Sequence, residues 1–560
     1  EAGHDINNYG ANIESGGDMI AIAGDDINIG TLAIRDRSEY RSKNYTDITD
    51  QITNISSNID VNGNFGLISN NNTNIKGSNI VATRNADIKI GGELNITSAQ
   101  DSYYKYIATK KKKSFGRSKS STSLTETKTQ IASNIVVGGD IMLDGVSDVN
   151  ILASNIRGEN GQIISQAGNV NIKNGINSVK SYTTSKKKGS TAKSSSKIYD
   201  YQETAAESNL AFNNDLKVNA ELGDVNIQGS TLNVNNDLSF GSFTIAQNSD
   251  GSLKIKADGT FETVSGDVVQ NVNIRAAELK SEHFEEHKSI SFNPITAAMA
   301  AVAEVASLGG LIPALDKLNE KLQERVNDMV GSGNEAVIEK TENKSSKSEV
   351  IAHSSNITVN GNLNINANEG FKIAASNLNV GGNGNINANK IDIISVAQNS
   401  SSYTKNKSIA IGEADIGFRD NSFKAGIKGI GEQNINKQET SIHKASNINI
   451  GNNLLINSIN DINIIASNIK TENDAIIKTG GNFNLSDAKN TQKTNTENSK
   501  LEVEVGLKMG NAYIDAGLAM KALADATKNL KKAKAKLNKI TNLKKQGRAS
   551  QKAVDLAITQ

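Results

Sequence analysis

Two histidines at metal-ligand spacing are the residues with the clearest potential for chemistry. His283 and His287 flank the pattern His-x-x-Glu-His, which on a helix places two zinc ligands one turn apart beside a glutamate. A zinc peptidase also needs a third ligand and a cleft, and the other histidines are scattered along the chain. We therefore expect a solvated surface segment here, and we assign no catalytic, cofactor-binding or metal-ligating residue.

A glycine-rich stretch approaches a calcium-binding repeat. Residues 381–387 resemble the start of the nonapeptide Gly-Gly-x-Gly-x-Asp. Asn replaces the Asp, which removes the anionic ligand that calcium prefers. The pattern also occurs once, whereas such sites come in stacks. We expect a plain β-turn and no cofactor.

Two lysine runs form a third candidate. Residues 110–113 and 186–188 are lysines and could bind a polyanionic glycan, an anionic lipid or nucleic acid. Tyr103, Tyr104 and Tyr106 could stack on bases. The alternative, which we favour, is a solvated and flexible excursion that keeps the edges of the fold from associating. We expect no specific nucleic-acid partner.

These residues must be positioned by a repeat that runs through the chain. The tripeptide Ser-Asn-Ile, or Ser-Asn-Leu, recurs after 21 residues in four pairs, which begin at 57 and 78, 133 and 154, 355 and 376, and 446 and 467. A weaker pair at 208 and 230 is 22 residues apart. A fixed period near 20 residues is typical of a solenoid.

Within one period, short alternating apolar pieces are separated by polar corners. Ile59 and Val61 flank an aspartate, and Asn62-Gly63-Asn64 follows as a corner. Alternation with period two indicates strands, and Asn and Gly tolerate the positive φ of sharp turns. Three strands a turn predict an all-β fold, a right-handed parallel β-helix, with another β solenoid or a sandwich as the alternative. About 350 residues in such turns would give roughly 16 turns and a length of about 80 Å.

The asparagines at equivalent positions have two explanations. Stacked asparagines can join their amides along the ladder, and an A/T-rich genome would also enrich Asn, Ile and Lys. Both can hold at once, so the sequence leaves them open.

Longer segments interrupt the turns and set the predicted domains. Excursions rich in Ser, Lys and Thr follow every second turn, so that modules begin at 57, 133 and 208, and we expect a degenerate module to occupy the gap before 355. Helical spacing of apolar residues predicts helices at about 294–330 and 513–560. The predicted organisation is a β-helix at 1–280, a charged and helical insertion at 281–354, a β-helix at 355–490, and a polar linker with a helical tail at 491–560.

Composition excludes several classes of site. The chain of 560 residues has no Cys and a net charge of +1, so disulfides and Cys-based metal or redox sites are excluded and no global charge attracts nucleic acid. It opens inside a repeat without an initiator Met or a signal peptide. We expect a fragment of a longer protein.

The turns carry motifs that resemble a known family. Gly16-Gly17-Asp18 and Gly138-Gly139-Asp140, together with the excursion at 113–118, resemble the haemagglutinin repeats of filamentous haemagglutinins and of contact-dependent growth inhibition exoproteins. The resemblance implies a secreted or cell-surface protein of a Gram-negative bacterium. It also implies an outer-membrane two-partner secretion transporter and a role in adhesion or in toxin delivery, in which these repeats take part in moving the toxin.

The sequence therefore predicts a structural, non-enzymatic β-helical stalk. We expect it to act in contact-dependent toxin delivery to neighbouring cells, with a target-cell receptor or glycan as partner. The parent protein would then carry a carboxy-terminal toxin domain, paired with an immunity protein. The alternatives are an adhesin for host cells or surfaces and a polysaccharide-active β-helix enzyme.

Overall fold

A parallel β-helix forms the body of the protein. The computed structural model describes residues 1–249, 252–257, 259–292, 336–419, 422–509, 527–528 and 531–532. Each turn of the β-helix contributes a strand to three faces. The first face is an 11-stranded parallel sheet, and its strands are Asn12–Ser15, Asn58–Val61, Asn79–Ala82, Asn134–Val137, Asn155–Gly158, Asn209–Phe212, Thr231–Val234, Asn356–Val359, Asn377–Val380, Asn447–Ile450 and Asn468–Thr471.

The second and third faces make one 21-stranded sheet, joined where Leu363–Ala374 and Gly384–Ile394 each run along both faces. The other second-face strands are Met19–Ala23, Phe65–Ser69, Ala86–Ile90, Ile141–Gly145, Gly161–Ser165, Leu216–Ala220, Leu238–Phe240, Leu454–Ser458 and Ala475–Thr479. The other third-face strands are Ile6–Tyr9, Ile27–Gly30, Thr73–Lys76, Leu94–Thr97, Val149–Leu152, Val170–Lys173, Val225–Gln228, Val269–Arg275, Ile462–Ile465 and Phe483–Ser486.

One continuous apolar core fills the β-helix. It extends from Ala23 to Ile464, and Phe65, Phe240 and Phe371 are among its fully buried side chains. Since a single turn cannot bury its own Ile and Val residues, each turn depends on the turns above and below it. The predicted parallel β-helix is therefore confirmed.

The repeated Ser and Asn have different physical roles. The nine serines that precede the first-face strands from residue 57 to residue 446 are fully buried. Their hydroxyl groups join neighbouring turns: Ser133 Oγ donates to Thr97 O at 2.7 Å and accepts from the N–H of Ser78 at 3.3 Å. The asparagines face outward, and the amide of Asn134 donates to Asn79 Oδ1 at 2.7 Å. The stacking of asparagines, one of the two explanations that the sequence left open, is therefore confirmed.

The turns alternate between two kinds of corner. In every second turn a single residue with positive φ connects the third face to the next first face, as at Gly77 (φ 58°) and Ala153 (φ 47°). In the other turns a long β-hairpin leaves the β-helix at this corner. The module of two turns and one excursion seen in the sequence is this alternation.

The excursions form an antiparallel sheet of 11 strands, which we call the hairpin sheet. Its five hairpins and last strand are Leu32–Arg41 with Tyr45–Ile55, Ala99–Lys112 with Ser118–Ile131, Gly175–Lys188 with Ala192–Ala206, Ala277–Phe292 with Ala336–His353, Val396–Arg419 with Ser422–Lys444, and Thr491–Met509. Two turns rise by about 9.6 Å, the width of two strands. One hairpin for every two turns therefore fills the sheet without gaps. The sequence analysis expected flexible excursions, and this expectation is wrong, because the excursions are paired strands of one sheet.

Other expectations also differ from the structure. Among the described residues the first face has 11 strands, which gives 11 turns over about 48 Å, not roughly 16. The degenerate module is absent from the described residues, because Thr231–Val234 pairs directly with Asn356–Val359. The gap holds instead the fourth hairpin and a small insertion at 242–268, with strands Phe243–Ile245 and Thr263–Ser265. The sequence analysis expected separate β-helices at 1–280 and 355–490. This pairing joins the two regions into one continuous β-helix.

The predicted helices fall almost entirely outside the described residues. This is so for 294–330, while the flanks of the expected insertion 281–354 are strands of the fourth hairpin. The linker expected from 491 begins with a strand, Thr491–Met509. In 513–560 four residues are described, and all are helical: Thr527, Lys528, Lys531 and Lys532. Among the described residues, no helix has the length and apolarity to span a membrane.

Candidate functional site

The hairpin sheet is a single layer whose two faces are both accessible. Within its described strands, the buried side chains lie near the β-helix, at Ala99, Ala277, Leu279 and Ala352. Beyond this base most side chains are half-buried or exposed. The sheet therefore presents its side chains outward and is the part of the fold best placed to meet a partner.

An aromatic row crosses one face of the hairpin sheet. The register places one ring or apolar side chain from each successive strand side by side, in the order Tyr106, Leu124, Tyr182, Tyr199 and Phe284. Lys344 extends the row, with its Nζ 5.3 Å from the Phe284 ring centroid and 5.7 Å from that of Tyr403. Such cross-strand pairs stabilise a sheet that lacks a core of its own.

Three tyrosines of this face have pKa values above the ordinary value of tyrosine. Burial raises the pKa of Tyr199 and of Tyr403. The hydroxyl of Tyr201 donates to Glu203 Oε1 at 2.6 Å, and this bond raises the pKa of Tyr201 to about 12. These phenols stay protonated near neutral pH, which suits them to packing and hydrogen bonding and not to proton transfer.

The zinc-like motif lies on a strand, Ala277–Phe292. In a strand, residues four apart are separated by about 13 Å, so His283 and His287 cannot share an ion. His283 instead pairs its Nδ1 with Asp200 Oδ1 at 2.6 Å, and His287 pairs its Nε2 with Glu285 Oε1 at 2.5 Å. The motif therefore contributes to side-chain hydrogen bonds on the surface of the sheet.

The glycine-rich stretch is a corner between the first and second faces. The N–H of Gly382 donates to Gly361 O at 2.8 Å. Asn383 Oδ1 accepts from the N–H of Asn453 in the next turn at 3.2 Å. This oxygen, which a calcium ion would need as a ligand, accepts a backbone hydrogen bond from the next turn. The stretch therefore serves as a structural turn.

One acidic cluster remains among the described residues. The carboxylates of Asp5, Asp25 and Asp26 lie within 4.8 Å of one another at the first turns. All three side chains are exposed or half-buried. No further feature at this end points to a cation.

A shallow groove of 1030 Å³ follows the second face. Its carboxylates are those a β-helix enzyme would use, but Asp140, Asp215 and Asp237 each bond a neighbouring turn, and Asp87 pairs with Lys89 of its own strand. Asp140 Oδ1 accepts from the Asn160 amide at 2.7 Å, and Asp237 Oδ1 accepts from the N–H of Asn362 at 2.7 Å. The observed role of Asp140, Asp215 and Asp237 is to satisfy the corner backbone and side chains.

The two lysine runs meet at the far end of the hairpin sheet. Strands 118–131 and 175–188 pair across the second and third hairpins, which places Lys119 directly opposite Lys187. Within each hairpin Lys111 lies opposite Lys119, and Lys188 opposite Lys193. The sequence showed two separate runs, and the register joins them into one cationic rim, which we define as residues 110–119 and 186–193.

Sequence reasoning missed the aromatic row and the residue at the tip of the rim. Phe115 lies between the basic residues Lys113 and Arg117 and is 89% exposed. A signal for the pairing was present: Tyr182 and Tyr199 lie equally far from the centre of the turn between Lys188 and Lys193. Paired residues in a hairpin have this mirror symmetry, which a search for fixed periods does not detect.

Comparison with known proteins identifies one family. The model of the family described as hemagglutinin repeat matches four segments, residues 41–115, 113–198, 189–299 and 427–559. The first two matches begin and end in hairpins, so the matched unit combines turns with an excursion. No curated protein and no solved structure matches the chain.

Proposed function

Because the chain belongs to the hemagglutinin repeat family, we propose that this filamentous-haemagglutinin-like protein is the stalk of an exoprotein that delivers a toxin on contact. The family is structural and adhesive, and its members are typically secreted or surface-exposed in Gram-negative bacteria. The proposal adds an outer-membrane secretion transporter. It also adds a carboxy-terminal toxin domain with an immunity protein in the parent, and a receptor or glycan on the target cell.

The observation that supports this function is that the β-helix and the hairpin sheet extend together, with one hairpin for every two turns. The β-helix and the hairpin sheet run side by side with 11 strands on the first face and 11 in the hairpin sheet. Two sheets that advance together resist bending more than one solenoid, and each two-turn module extends the body by about 9.6 Å. This design suits a rod that holds a terminal domain at a set distance from a cell.

We assign the chain no catalytic role. Three of the four groove carboxylates satisfy backbone and side-chain groups of the corners, the fourth pairs with a lysine of its own strand, and His283 and His287 each contact a carboxylate. An adhesin is the second candidate, and the exposed aromatic and lysine side chains of the hairpin sheet favour it.

A co-culture experiment with the producing bacterium tests the toxin-delivery function. The parent gene would carry an in-frame deletion of residues 133–207, which removes one whole module, or of residues 133–153, which removes one turn. The module deletion keeps hairpins and turns in step, so we expect target killing within a few fold of the wild type. The one-turn deletion leaves neighbouring hairpins only about 4.8 Å apart, and we expect killing to be lost.

Two outcomes would reject toxin delivery. If the wild-type producer binds target cells without reducing their viability relative to a gene deletion, the adhesin function replaces it. If the purified chain releases reducing ends from a polysaccharide panel, and Asp140→Asn abolishes the release, the enzymatic alternative replaces both.

A further inference from the structure

We propose that a segment of the same chain, residues 293–335, packs on an exposed apolar patch of the hairpin sheet. This segment connects the two strands of the fourth hairpin and lies outside the described residues. The patch is an interaction surface, and the length, attachment and charge of the segment identify it as the partner. The inference goes beyond the stalk function and does not depend on toxin delivery, because it concerns contacts within one chain.

The patch lies on the last strands of the hairpin sheet, at the end away from the β-helix. The register aligns two rows of apolar side chains on the face that carries the aromatic row. Five of these side chains are 39% to 44% exposed, and the other two are half-buried. Contiguous exposed apolar surface is typical of an interaction site. The apolar patch is defined by these rows, which are Phe292, Ile338, Ile411 and Val503 in the first and Ile290, Ile409 and Leu501 in the second.

The strands of the patch have the sequence pattern of strands with one buried face. Residues 501–505 are Leu-Glu-Val-Glu-Val, and residues 289–292 are Ser-Ile-Ser-Phe. Alternate residues point to the opposite face, where Lys500 lies 3.7 Å from Glu432. Strict alternation of apolar and polar residues is typical of a half-buried strand. The sequence therefore suits a face that another element covers, whereas the described residues leave this face open.

Two glycines make a furrow through the patch. Gly429 and Gly431 separate the patch isoleucines of strand Val396–Arg419 from Leu501 and Val503. Apart from chain neighbours, a Cβ would have only Val503 O within 4 Å at Gly429, at 3.8 Å, and only Leu501 O at Gly431, at 4.0 Å. Neither glycine has a positive φ, so the backbone does not require glycine here.

The furrow has the width of another backbone element. Glycine inside a strand often marks the close approach of another backbone. The two walls of the furrow are two strand spacings apart, about 9.6 Å, which is close to the diameter of an α-helix, about 10 Å. A helix can therefore lie between the walls with its apolar side chains against them.

The segment 293–335 is attached where the patch begins. Phe292 ends one strand of the fourth hairpin, and Ala336 begins the other. Attachment at both ends gives the segment an effective concentration on the order of millimolar beside the patch. Its apolar stripe would be about 16 Å long on a helix, and the patch extends about 19 Å across four strand spacings. The stripe has helical spacing and consists of Leu315, Leu318, Leu322 and Val326.

Charge separates this segment from the other candidates. On the same face, the patch and the two adjoining rows contain five lysines, among them Lys340 and Lys405, and three glutamates. Residues 293–335 carry six acidic and three basic side chains, whereas residues 510–560 carry three acidic and eleven basic ones. The acidic segment therefore complements the lysines. The basic tail, or the same patch of a second copy, would bring like charges together.

Thiol labelling in the full chain measures whether one side of the segment is shielded. The chain has no cysteine, so one introduced thiol reports its own accessibility to a maleimide. Leu322→Cys lies in the apolar stripe, and Glu320→Cys lies about 160° away around a helix. We expect the thiol of Leu322→Cys to react at least about tenfold more slowly, because burial makes a cysteine inert. Rates in guanidinium correct for intrinsic reactivity.

Matched variants of one strand locate the contact. Leu501→Gln/Val503→Gln removes two side chains of the patch, whereas Glu502→Gln/Glu504→Gln changes the opposite face of the same strand. The first pair should raise the labelling rate of Leu322→Cys at least about tenfold, because the thiol becomes exposed. The second pair should change the rate less than about twofold, because solvent-exposed charges interact weakly. Far-UV circular dichroism checks that both variants keep the β fold.

Filling the furrow gives a second and independent variant. Gly429→Val/Gly431→Val places side chains where the segment would lie, and valine suits a strand better than glycine. The sheet should therefore keep its fold, while the thiol of Leu322→Cys should become as reactive as that of Glu320→Cys. This result separates a loss of packing on the patch from a loss of the sheet.

Four results would overturn the proposal. Equal labelling rates at positions 320 and 322 would show that the segment is not packed on its apolar side. Slow labelling at position 322 that no patch variant changes would place the segment elsewhere. Shielding of Leu530→Cys that depends on the patch would assign the patch to the basic tail. A dimer in light scattering that dissociates in Leu501→Gln/Val503→Gln, with position 322 reactive throughout, would assign the patch to a second copy.

Discussion

Replacing Ser133 with alanine probes the feature that makes the 21-residue repeat necessary. The Ser133 hydroxyl is fully buried and donates to Thr97 O at 2.7 Å, with Ile75 O at 3.1 Å. It also accepts from the N–H of Ser78 at 3.3 Å. Thr97 O keeps a second donor, the N–H of Gly77 at 2.9 Å. The group left without a partner in Ser133→Ala is therefore the N–H of Ser78.

The expected cost follows from that single group. A buried donor without an acceptor costs about 1–3 kcal/mol. Because each turn of a solenoid contacts only its neighbours, the loss should stay local. Hydrogen exchange reads local opening, so amides in Asn79–Ala82 and Asn134–Val137 should exchange about 5 to 150 times faster in the variant, whereas those in Asn447–Ile450 should not change.

A matched control and a contrary result complete the test. Ser194 is exposed on the hairpin sheet, so Ser194→Ala should change local stability by less than about 0.5 kcal/mol. If Ser133→Ala left exchange in both neighbouring strands unchanged, the buried hydroxyl ladder would not hold the turns together, and the reason given for the repeated serine would be refuted.

Three further changes have expected outcomes. Gly77→Ala should lower the stability of its turn by about 1–2 kcal/mol or more in exchange experiments, because φ is 58° and a Cβ would lie 2.6 Å from that of Ala99. Thr231 stands between Asn209 and Asn356 on the first face and interrupts the ladder of asparagine amides. Thr231→Asn should therefore slow amide exchange in the neighbouring strands, because it completes that ladder. The hydrogen bond from Lys347 lowers the pKa of Glu349 in the folded protein. The ionised Glu349 therefore stabilises the fold above the ordinary carboxyl pKa of about 4.3, and this stabilisation is lost as the pH falls through the lowered pKa. Protection of hairpin-sheet amides from exchange should decrease as the pH falls below about 4.3, and Glu349→Gln should remove the part of this decrease that Glu349 causes.

Each of these expectations has a result that contradicts it. Gly17 has no atom near its Cβ position, so an equal cost for Gly17→Ala would show that the corner geometry is not responsible. Faster exchange in Thr231→Asn would mean that the bond from Thr231 Oγ1 to Glu207 Oε2, at 2.6 Å, outweighs the amide ladder. Unchanged acid sensitivity in Glu349→Gln would assign the pH response to other carboxylates.

The β-helix was predictable because its determinants recur at short range. A buried Ser, an outward Asn and an apolar residue recur at the same place in most turns, so Ser57 and Ser78 mark the same place on the fold. The period and the alternation of apolar residues carry this information directly. The same period also suggested the amide ladder, but composition offered a second explanation and the sequence alone left both open.

The hairpin sheet was not predictable in the same way. Most side chains on both of its faces are polar, so strands such as Ser118–Ile131 lack the apolar alternation that marks a half-buried strand. That strand also pairs with Gly175–Lys188, which belongs to another hairpin. A fixed sequence period does not predict such a pairing. The zinc-like motif failed for a related reason, because His283 and His287 were judged by helical spacing and lie on a strand.

Disulfide trapping between hairpins tests the central structural claim most directly. The chain has no cysteine, and Thr122 and Ser123 of the second hairpin lie opposite Thr184 and Thr183 of the third. Adjacent antiparallel pairs alternate between two geometries, so Thr122→Cys/Thr184→Cys and Ser123→Cys/Thr183→Cys together cover both. We expect at least one pair to form an intramolecular disulfide under mild oxidation. Ser123→Cys/Ser345→Cys, about 19 Å apart across four strand spacings, should not. Failure of both pairs, or equal trapping in the distant control, would contradict a hairpin sheet in register with the β-helix.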